Sequence, residues 1–350
     1  MKKFWKKTWK GFLFGAIFCA LLGLLSWVFY PRNNTKEQGI LFPDAYAFLT
    51  MPDNVVDVYV VGNSNIYSAF SPMELWGKYG YTSYVSGQPW QQTMQAVQVL
   101  NKFYEHQNPQ IVILDVDEVF SSHYTPHDIM VAVRNAAIPV FEFHNNWKHL
   151  DLSRLTSPAK YTYTSPLMGQ HVKTGIQGFK GKRDYMKSED DGAAKIPVTA
   201  KKHLDEFMRI CEEHGSQVIL VNAPNPRTWN AKRHNTMQEY ADKYGVPYLD
   251  YNVKQKEIKL DWSEDTGDGG SHLNVLGGIK FMGSLGKYLA DNYSIPDSRD
   301  KEIASLYNQG MKKYREYCAE SIENEKKAKE AAKKEEEEKA LEKAEEDQAE

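Results

Sequence analysis

Short apolar runs rich in Val, Ile and Tyr alternate along the body of this chain with segments of helical periodicity, and this alternation is the strongest constraint on its fold. The runs are typical of buried strands. They cover residues 55–62, 81–85, 110–116, 217–221 and 247–249. Helices are predicted from residue 71, over 89–106, 200–214 and 231–244, and after Asn274. Strands and helices in this order favour parallel pairing. The sequence therefore predicts an α/β fold, a three-layer α/β/α sandwich with a mostly parallel sheet.

The predicted sheet domain covers residues 53–295 and contains an insertion at about 118–198, where periodicity is weak and aromatic residues are frequent. Residues 33–52 are mixed and polar, and we expect a stalk. Residues 296–350 form a charged tail, whose last 32 residues hold thirteen acidic and seven basic side chains. Such a segment cannot bury a core, so a solvated helix or a disordered tail is expected.

Residues 1–32 predict a cytoplasmic basic stub followed by a transmembrane anchor. Residues 11–30 carry no charge, and twenty such residues match the thickness of a bilayer. Five lysines precede this run and a single Arg32 soon follows it, a bias that predicts a cytoplasmic N-terminus and an extracytoplasmic body. A cleaved signal peptide is the alternative, but the run does not end in the small-x-small pattern of a cleavage site. We expect a single-pass protein of the cell membrane.

Ser64 follows the first predicted strand within the sequence Gly62-Asn63-Ser64. A residue at this place lies at the carboxyl edge of a parallel sheet, where open α/β folds build their sites. Its hydroxyl would need a base to become a nucleophile, and its backbone N–H could face a developing oxyanion. The Gly-x-Ser-x-Gly pattern is incomplete because Ile66 replaces the second glycine. Taken alone, Ser64 could equally be a turn residue.

A glycine-rich loop before the last helix supplies the other two groups. His272 lies two residues before Asn274, a plausible N-cap, and Asp268 lies four residues before His272. An acid in this position could hold the tautomer of the imidazole. The three residues together predict a serine hydrolase or acyltransferase, with Ser64 as nucleophile, His272 as base and Asp268 as the orienting acid.

Gly62-Asn63-Ser64 resembles the first block of the SGNH/GDSL hydrolases, and Asp268 to His272 resembles their last block. The likeness is closer to the membrane-anchored extracytoplasmic branch, which includes alginate-acetylation and teichoic-acid D-alanine transfer proteins. This resemblance implies an SGNH-like or flavodoxin-like domain over roughly residues 50–295. It also implies a serine esterase or O-acyltransferase acting on a cell-envelope polysaccharide or teichoic-acid-like polymer, with a membrane-bound O-acyltransferase as a donor partner.

The chain departs from the family pattern in two places. The usual Asp-x-x-His is one residue longer here, which leaves Asp265 as a second candidate acid. The block that normally supplies an oxyanion Asn is missing, because residues 115–118, in which the third strand ends, are mostly acidic. Gly87 resembles the glycine that donates to the oxyanion. We therefore expect the oxyanion site to consist of the backbone of Ser64, Gly87 and Gln88.

Other residues near the same sheet edge are candidate substrate contacts. Asn65 adjoins the serine, Arg227 could contact a polyanion and Trp229 could stack on a sugar, although residues 222–230 could also be only a Pro-rich turn. No metal or other cofactor is expected, because the cysteines lack metal-binding spacing. No nucleic-acid partner is expected, although the net charge of −3 argues neither for nor against one. The alternative function is a non-catalytic envelope scaffold or glycan-binding protein, which the missing oxyanion Asn and the charged tail would suit.

Overall fold

The computed structural model describes residues 2–120, 138–149, 158–187 and 192–349. The chain forms two compact units, an anchor unit of residues 1–51 and 121–165 and a sheet unit of residues 52–120 and 166–350. The described helices, in chain order, are α1 (Lys2–Phe29), α2 (Ser64–Ala69), α3 (Pro72–Tyr79), α4 (Thr93–Tyr104), α5 (Val140–Phe143), α6 (Val198–Glu213), α7 (Ala231–Tyr244), α8 (Val275–Asn292) and α9 (Ala304–Ala349).

The sheet unit is built on five strands, which are β1 (Val58–Gly62), β2 (Ser83–Gly87), β3 (Ile111–Asp115), β4 (Gln217–Asn222) and β5 (Tyr248–Asp250). Their order across the sheet is β2-β1-β3-β4-β5, and all four pairings between them are parallel. All five residues of each of the first three strands are buried. The α/β class and the parallel sheet predicted from the sequence are confirmed.

Side chains of β1 alternate between the two faces of the sheet, and helices cover both. Val58 and Val60 belong to a buried cluster that includes Phe281 of α8, while Tyr59 stacks on Phe103 of α4 with ring centroids 3.5 Å apart. Helices α2, α3 and α8 pack together on the first face, and α4 packs against α6 on the second. The sheet unit is therefore the predicted three-layer sandwich.

The strand order reverses between β1 and β3. The chain leaves β1 for β2 on one side and then crosses to β3 on the other. The carboxyl ends of two such strands diverge into a crevice, which is the usual ligand site in open α/β sheets. Ser64, the first residue after the loop that ends β1, lies at this crevice.

Two local differences separate the structure from the sequence prediction. β1 begins at Val58 rather than at residue 55, because the backbone N–H groups of Val55 and Val56 donate to the side-chain oxygen of Gln107. The prediction also missed α2, a helix of only six residues that begins at Ser64. Its length is below what periodicity can detect, since one apolar face needs about three turns to show.

The anchor unit contains α1, whose segment Trp9–Phe29 is long and apolar enough to cross a membrane and is almost entirely exposed. Residues 138–149 lie beside the C-terminal end of this helix. The side-chain amide of Asn146 donates to the carbonyl oxygens of Phe29 (2.8 Å) and Gln38 (2.9 Å). The backbone N–H of Val140 donates to the Ser26 hydroxyl at 3.2 Å. The end of the apolar helix is therefore integrated into the fold of its own unit.

The charged tail is helical in the structure, as α9. Its first turns pack on the sheet unit, where the Tyr307 hydroxyl donates to the carbonyl oxygen of Ser83 at 2.8 Å. Further along, the Thr174 hydroxyl donates to Glu320 at 2.7 Å and the Asn324 amide donates to the Thr174 carbonyl at 3.0 Å. Residues 121–137, 150–157 and 188–191 of the predicted insertion at 118–198 lie outside the described residues. The rest of the insertion consists of short helical turns and irregular chain, up to the start of α6 at Val198.

Gly62 is the point where β1, β3 and α2 approach most closely. A Cβ there would lie 2.4 Å from Asp115 Cβ and 2.6 Å from Ile66 Cγ2. We expect Gly62→Ala to lower the free energy of unfolding by about 1–3 kcal/mol, because the backbone must shift to relieve the overlap. Gly283→Ala is the control, since nothing lies within 4 Å of a Cβ on this helical glycine. It should be neutral or stabilising by up to about 1 kcal/mol. Urea unfolding of the full chain in detergent measures both, and equal midpoints would contradict the packing argument.

Candidate active site

Ser64 is held at the crevice by the side chain of Asn63. Asn63 Oδ1 accepts the backbone N–H of Asn65 at 2.8 Å and so caps α2. The Asn63 amide donates to Asp117 Oδ2 and to Glu118 Oε1, each at 2.9 Å. A helix start needs acceptors for its first N–H groups, which Asn supplies well. The serine turn is therefore fixed both to its own helix and to the segment that follows β3.

The structure brings together the three residues that the sequence predicted as a catalytic set. His272 Nε2 lies 2.8 Å from Ser64 Oγ, and His272 Nδ1 lies 2.5 Å from Asp268 Oδ2. An ionised carboxylate can only accept, so Nδ1 donates to Asp268 and Nε2 is free to accept the serine proton. The side chain of His272 is 20% exposed, which leaves it within reach of a substrate.

The loop that carries Asp268 and His272 is a tight hairpin. Thr266 and Leu273 form an antiparallel bridge, and Gly269 and Gly270 turn the chain with φ of 73° and 97°. Side chains other than glycine rarely adopt such angles, so the two glycines permit the reversal. Asp268 Oδ1 then accepts the backbone N–H of His272 at 2.9 Å. The acid is thus fixed to both the backbone and the ring of the histidine.

Lys173 is a fourth member of this chain of hydrogen bonds that sequence analysis did not find. Its Nζ donates to Asp268 Oδ2 at 3.0 Å. Burial raises the pKa of Asp268, but hydrogen bonds and positive charge from His272 and Lys173 outweigh it, and the pKa of Asp268 falls well below its ordinary value. Asp268 is therefore ionised at any pH at which an imidazole titrates. Nothing local in the sequence links Lys173 to an acid 95 residues away.

Asp265, the second candidate acid, has other partners. Its Oδ2 accepts Lys280 Nζ at 2.7 Å and the backbone N–H of Asp261 at 2.6 Å. The residue is 1% exposed. Asp268 therefore contacts the histidine, and Asp265 fixes the preceding turn to α8.

Gly87, the predicted oxyanion glycine, lies opposite Gly62 in the register of β1 and β2. A Cβ at Gly87 would lie 2.6 Å from Tyr67 Cδ1, so only glycine fits beside this ring. Gln88 follows and is half-buried. The strand ends of β1 and β2 thus place Ser64, Gly87 and Gln88 at one edge, and donation by these groups to an oxyanion stays a prediction.

Tyr67 is another neighbour of the serine that sequence analysis missed. It lies one turn after Ser64 on α2, and burial raises the pKa of its phenol although a hydrogen bond with the Ser64 hydroxyl opposes that rise. Its ring also lies 5.4 Å from the ring of His171. The spacing of three residues within a helix would have indicated this contact if α2 had been recognised.

Acidic residues at the end of β3 and just after it lie beside the turn that carries Ser64. Asp117 accepts hydrogen bonds from Asn63 and, at 2.5 Å, from the Thr228 hydroxyl. Burial raises the pKa of Asp115, and the charges of Asp117 and Glu118 raise it further, which favours its neutral acid. Asp117 therefore fixes the segment after β3 to the turn that carries Ser64.

Three predicted substrate contacts are occupied by the protein itself. The Trp229 prediction is wrong, because its ring is 2% exposed and its Nε1 donates to Asp250 Oδ2 at 2.8 Å. Asn65 is 1% exposed, and its amide donates to the Ala223 carbonyl at 3.0 Å, so it is closed to a substrate. Arg227 donates through Nε (2.9 Å) and Nη2 (2.8 Å) to the Gly269 carbonyl. Arg227 thus stabilises the hairpin that carries Asp268, in place of the predicted contact with a polyanion.

Within the described ranges, no group of three or more His, Cys, Asp or Glu side chains could hold a metal ion.

Comparisons with known proteins yield only remote likenesses. No family model matches the chain, and no curated protein matches it. The similar solved structures include acylhydrolases and GDSL-like lipases. The lipase/acylhydrolase from Enterococcus faecalis is 12% identical, covers 69% of this chain and 99% of its own, and has a TM-score of 0.38. A GDSL-like lipase from Bacteroides thetaiotaomicron is 12% identical over 67% of this chain and 87% of its own, with a TM-score of 0.33. Likenesses this remote assign no activity.

Lys173 generates a prediction about pH. Lys173→Met removes a positive charge from Asp268, so the full negative charge of the carboxylate faces the imidazole and holds its proton more tightly. The acid limb of the pH–rate profile should therefore move to higher pH, because a base must be neutral to act. Lys173→Arg keeps the charge and should restore the parent profile. The measurement is ester hydrolysis between pH 4.5 and 9, and a limb that moves to lower pH or stays fixed in Lys173→Met would contradict this role.

Proposed function

We propose that this protein is a membrane-anchored SGNH-type serine esterase or O-acyltransferase whose sheet unit lies outside the cytoplasm. The observation that carries the proposal is the unbroken chain of hydrogen bonds from Ser64 through His272 to Asp268. This arrangement is the one that makes a serine hydroxyl nucleophilic. It lies at the strand-order reversal of the sheet, where a substrate can reach it.

The geometry supports a two-step acyl transfer. His272 Nε2 takes the proton of Ser64 as Oγ attacks the ester carbonyl, and the tetrahedral intermediate collapses when His272 returns that proton to the leaving alcohol. The acyl group is then held on Ser64. Water or a sugar hydroxyl next gives its proton to His272 and attacks the acyl carbon. The bond between that carbon and Ser64 Oγ then breaks, His272 returns the proton to Oγ, and an acid or a new ester is released. Asp268 stabilises the imidazolium in both steps, and the backbone N–H groups of Ser64 and Gly87 are the proposed oxyanion donors.

The anchor unit supports retention of the apolar helix. A cleaved leader makes no lasting contact with the mature chain, whereas the end of α1 accepts hydrogen bonds from residues 138–149 at Ser26 and Phe29. The lysines at the start of α1, before its apolar segment, favour a cytoplasmic N-terminus. A tether of this kind confines the sheet unit to the membrane surface, where envelope polymers and membrane-bound partners are present.

We further propose that the acyl ester belongs to a cell-envelope polysaccharide or teichoic-acid-like polymer, and that a membrane-bound O-acyltransferase is the donor when transfer occurs. The support is the motif resemblance together with the tether. A non-catalytic scaffold is the second candidate, and the observation that favours it is the acidic Asp117 after β3 in place of an oxyanion Asn. The complete Ser–His–Asp geometry favours catalysis, because a scaffold has no need of it.

The test uses the full chain purified in mild detergent and assayed with p-nitrophenyl acetate. We expect hydrolysis that falls by at least about 10³-fold in Ser64→Ala and in His272→Ala, since removal of either group abolishes nucleophile activation. Ser284→Ala, a change at a serine of α8, is the matched control and should keep the parent rate. Equal rates in parent and Ser64→Ala, or no hydrolysis by a folded parent, would favour the scaffold.

Protease added to intact cells should degrade the sheet unit and spare the N-terminal stub.

A further inference from the structure

Trp90 stands out among the aromatic side chains of the sheet unit. The residue is 61% exposed, whereas every other Phe, Trp and Tyr that the structure describes in that unit is buried or half-buried. Large aromatic rings normally lie buried, because each removes much apolar surface from water. An exposed indole therefore carries a cost in free energy that a bound partner could recover.

The backbone holds Trp90 in place. Its φ is 57°, in the left-handed region that non-glycine residues rarely adopt. The turn around it is fixed by Gln91, whose backbone N–H donates to the Gln88 carbonyl at 3.2 Å and whose side-chain amide donates to the Ser86 carbonyl at 3.3 Å. Gln91 itself is 3% exposed. A buried side chain thus fixes the turn that presents the indole, and unusual backbone angles of this kind cluster at ligand sites.

Trp90 lies just beyond the strand whose end packs beside the neighbours of Ser64. Trp90 comes three residues after Gly87, at the carboxyl end of β2. Gly87 packs against the ring of Tyr67, whose hydroxyl hydrogen-bonds Ser64. The indole therefore lies on the loop that continues the proposed oxyanion strand, at the same sheet edge as the nucleophile.

We propose that Trp90 is a stacking platform for a sugar ring of the polymer that carries the scissile acyl ester. A pyranose presents a face of C–H groups that suits an indole, while its hydroxyls stay in water or contact polar side chains. The three residues that flank the exposed ring along the turn offer no long apolar side chain, since they are Gln88, Pro89 and Gln91. A fatty acyl chain would instead require a continuous apolar trough. This inference rests on the proposed function and replaces the sugar contact predicted at Trp229.

The experiment measures glycan binding separately from catalysis. Hexasaccharides of glucose, xylose, N-acetylglucosamine and mannuronate that carry no O-acetyl groups are titrated into the full chain by calorimetry. Hydrolysis of p-nitrophenyl acetate reports the activity of the triad. At least one hexasaccharide should bind, and Trp90→Ala should raise its dissociation constant about tenfold or more. Trp90→Phe should keep most of the affinity, because it keeps an aromatic face.

Trp147→Ala is the matched control, a tryptophan of the anchor unit that is 59% exposed. It should bind the hexasaccharide as the parent does. Trp147→Ala should also hydrolyse p-nitrophenyl acetate at the parent rate. Failure of the triad would appear as lost acetate release with binding intact. The platform is refuted if no hexasaccharide binds, if Trp90→Ala binds unchanged, or if Trp90→Ala impairs only p-nitrophenyl octanoate, which would make the site an acyl-chain pocket.

Discussion

The site depends on the close approach of β1, β3 and α2 at Gly62. Because Gly62 has no side chain, β1 can end against Asp115 and turn at once into α2. Asn63 then spans the gap, with one side-chain oxygen capping the helix and its amide bound to the acids after β3. Ser64 is the first residue that this turn presents to the crevice. The nucleophile is therefore positioned by the packing of the sheet itself rather than by a flexible loop.

Opposed electrostatic environments distinguish the carboxyl groups around the serine. Asp268 is partly exposed and is hydrogen-bonded to His272 and Lys173, which lowers its pKa and keeps it ionised. Asp115 is buried beside other acids, which raises its pKa and favours the neutral form. One carboxylate can thus stabilise an imidazolium, while the other adds little charge near a developing oxyanion. Groups whose environments push their pKa values apart in this way commonly mark an active site.

Much of this arrangement could be predicted from the sequence, because it depends on local signals. Strands were recognisable from β-branched runs, and Ser64 and His272 from their places at a strand end and before a helix cap. The candidate acid Asp268 followed from its spacing. Contacts between distant segments were not predictable. Lys173 reaches Asp268 from a separate segment, and only tertiary packing decides that Trp229 is buried while Trp90 is exposed. The choice between Asp268 and Asp265 likewise depended on which one Lys280 binds.

Activation of Ser64 by Asp268 and His272 is measured most directly as the rate at which a fluorophosphonate modifies the full chain, with the modified residue located by mass spectrometry. We expect a single adduct on Ser64, a rate reduced by roughly 10³–10⁴-fold in Asp268→Asn, and a nearly unchanged rate in folded Asp265→Asn. An adduct on another residue, or a rate that falls in Asp265→Asn and not in Asp268→Asn, would contradict it.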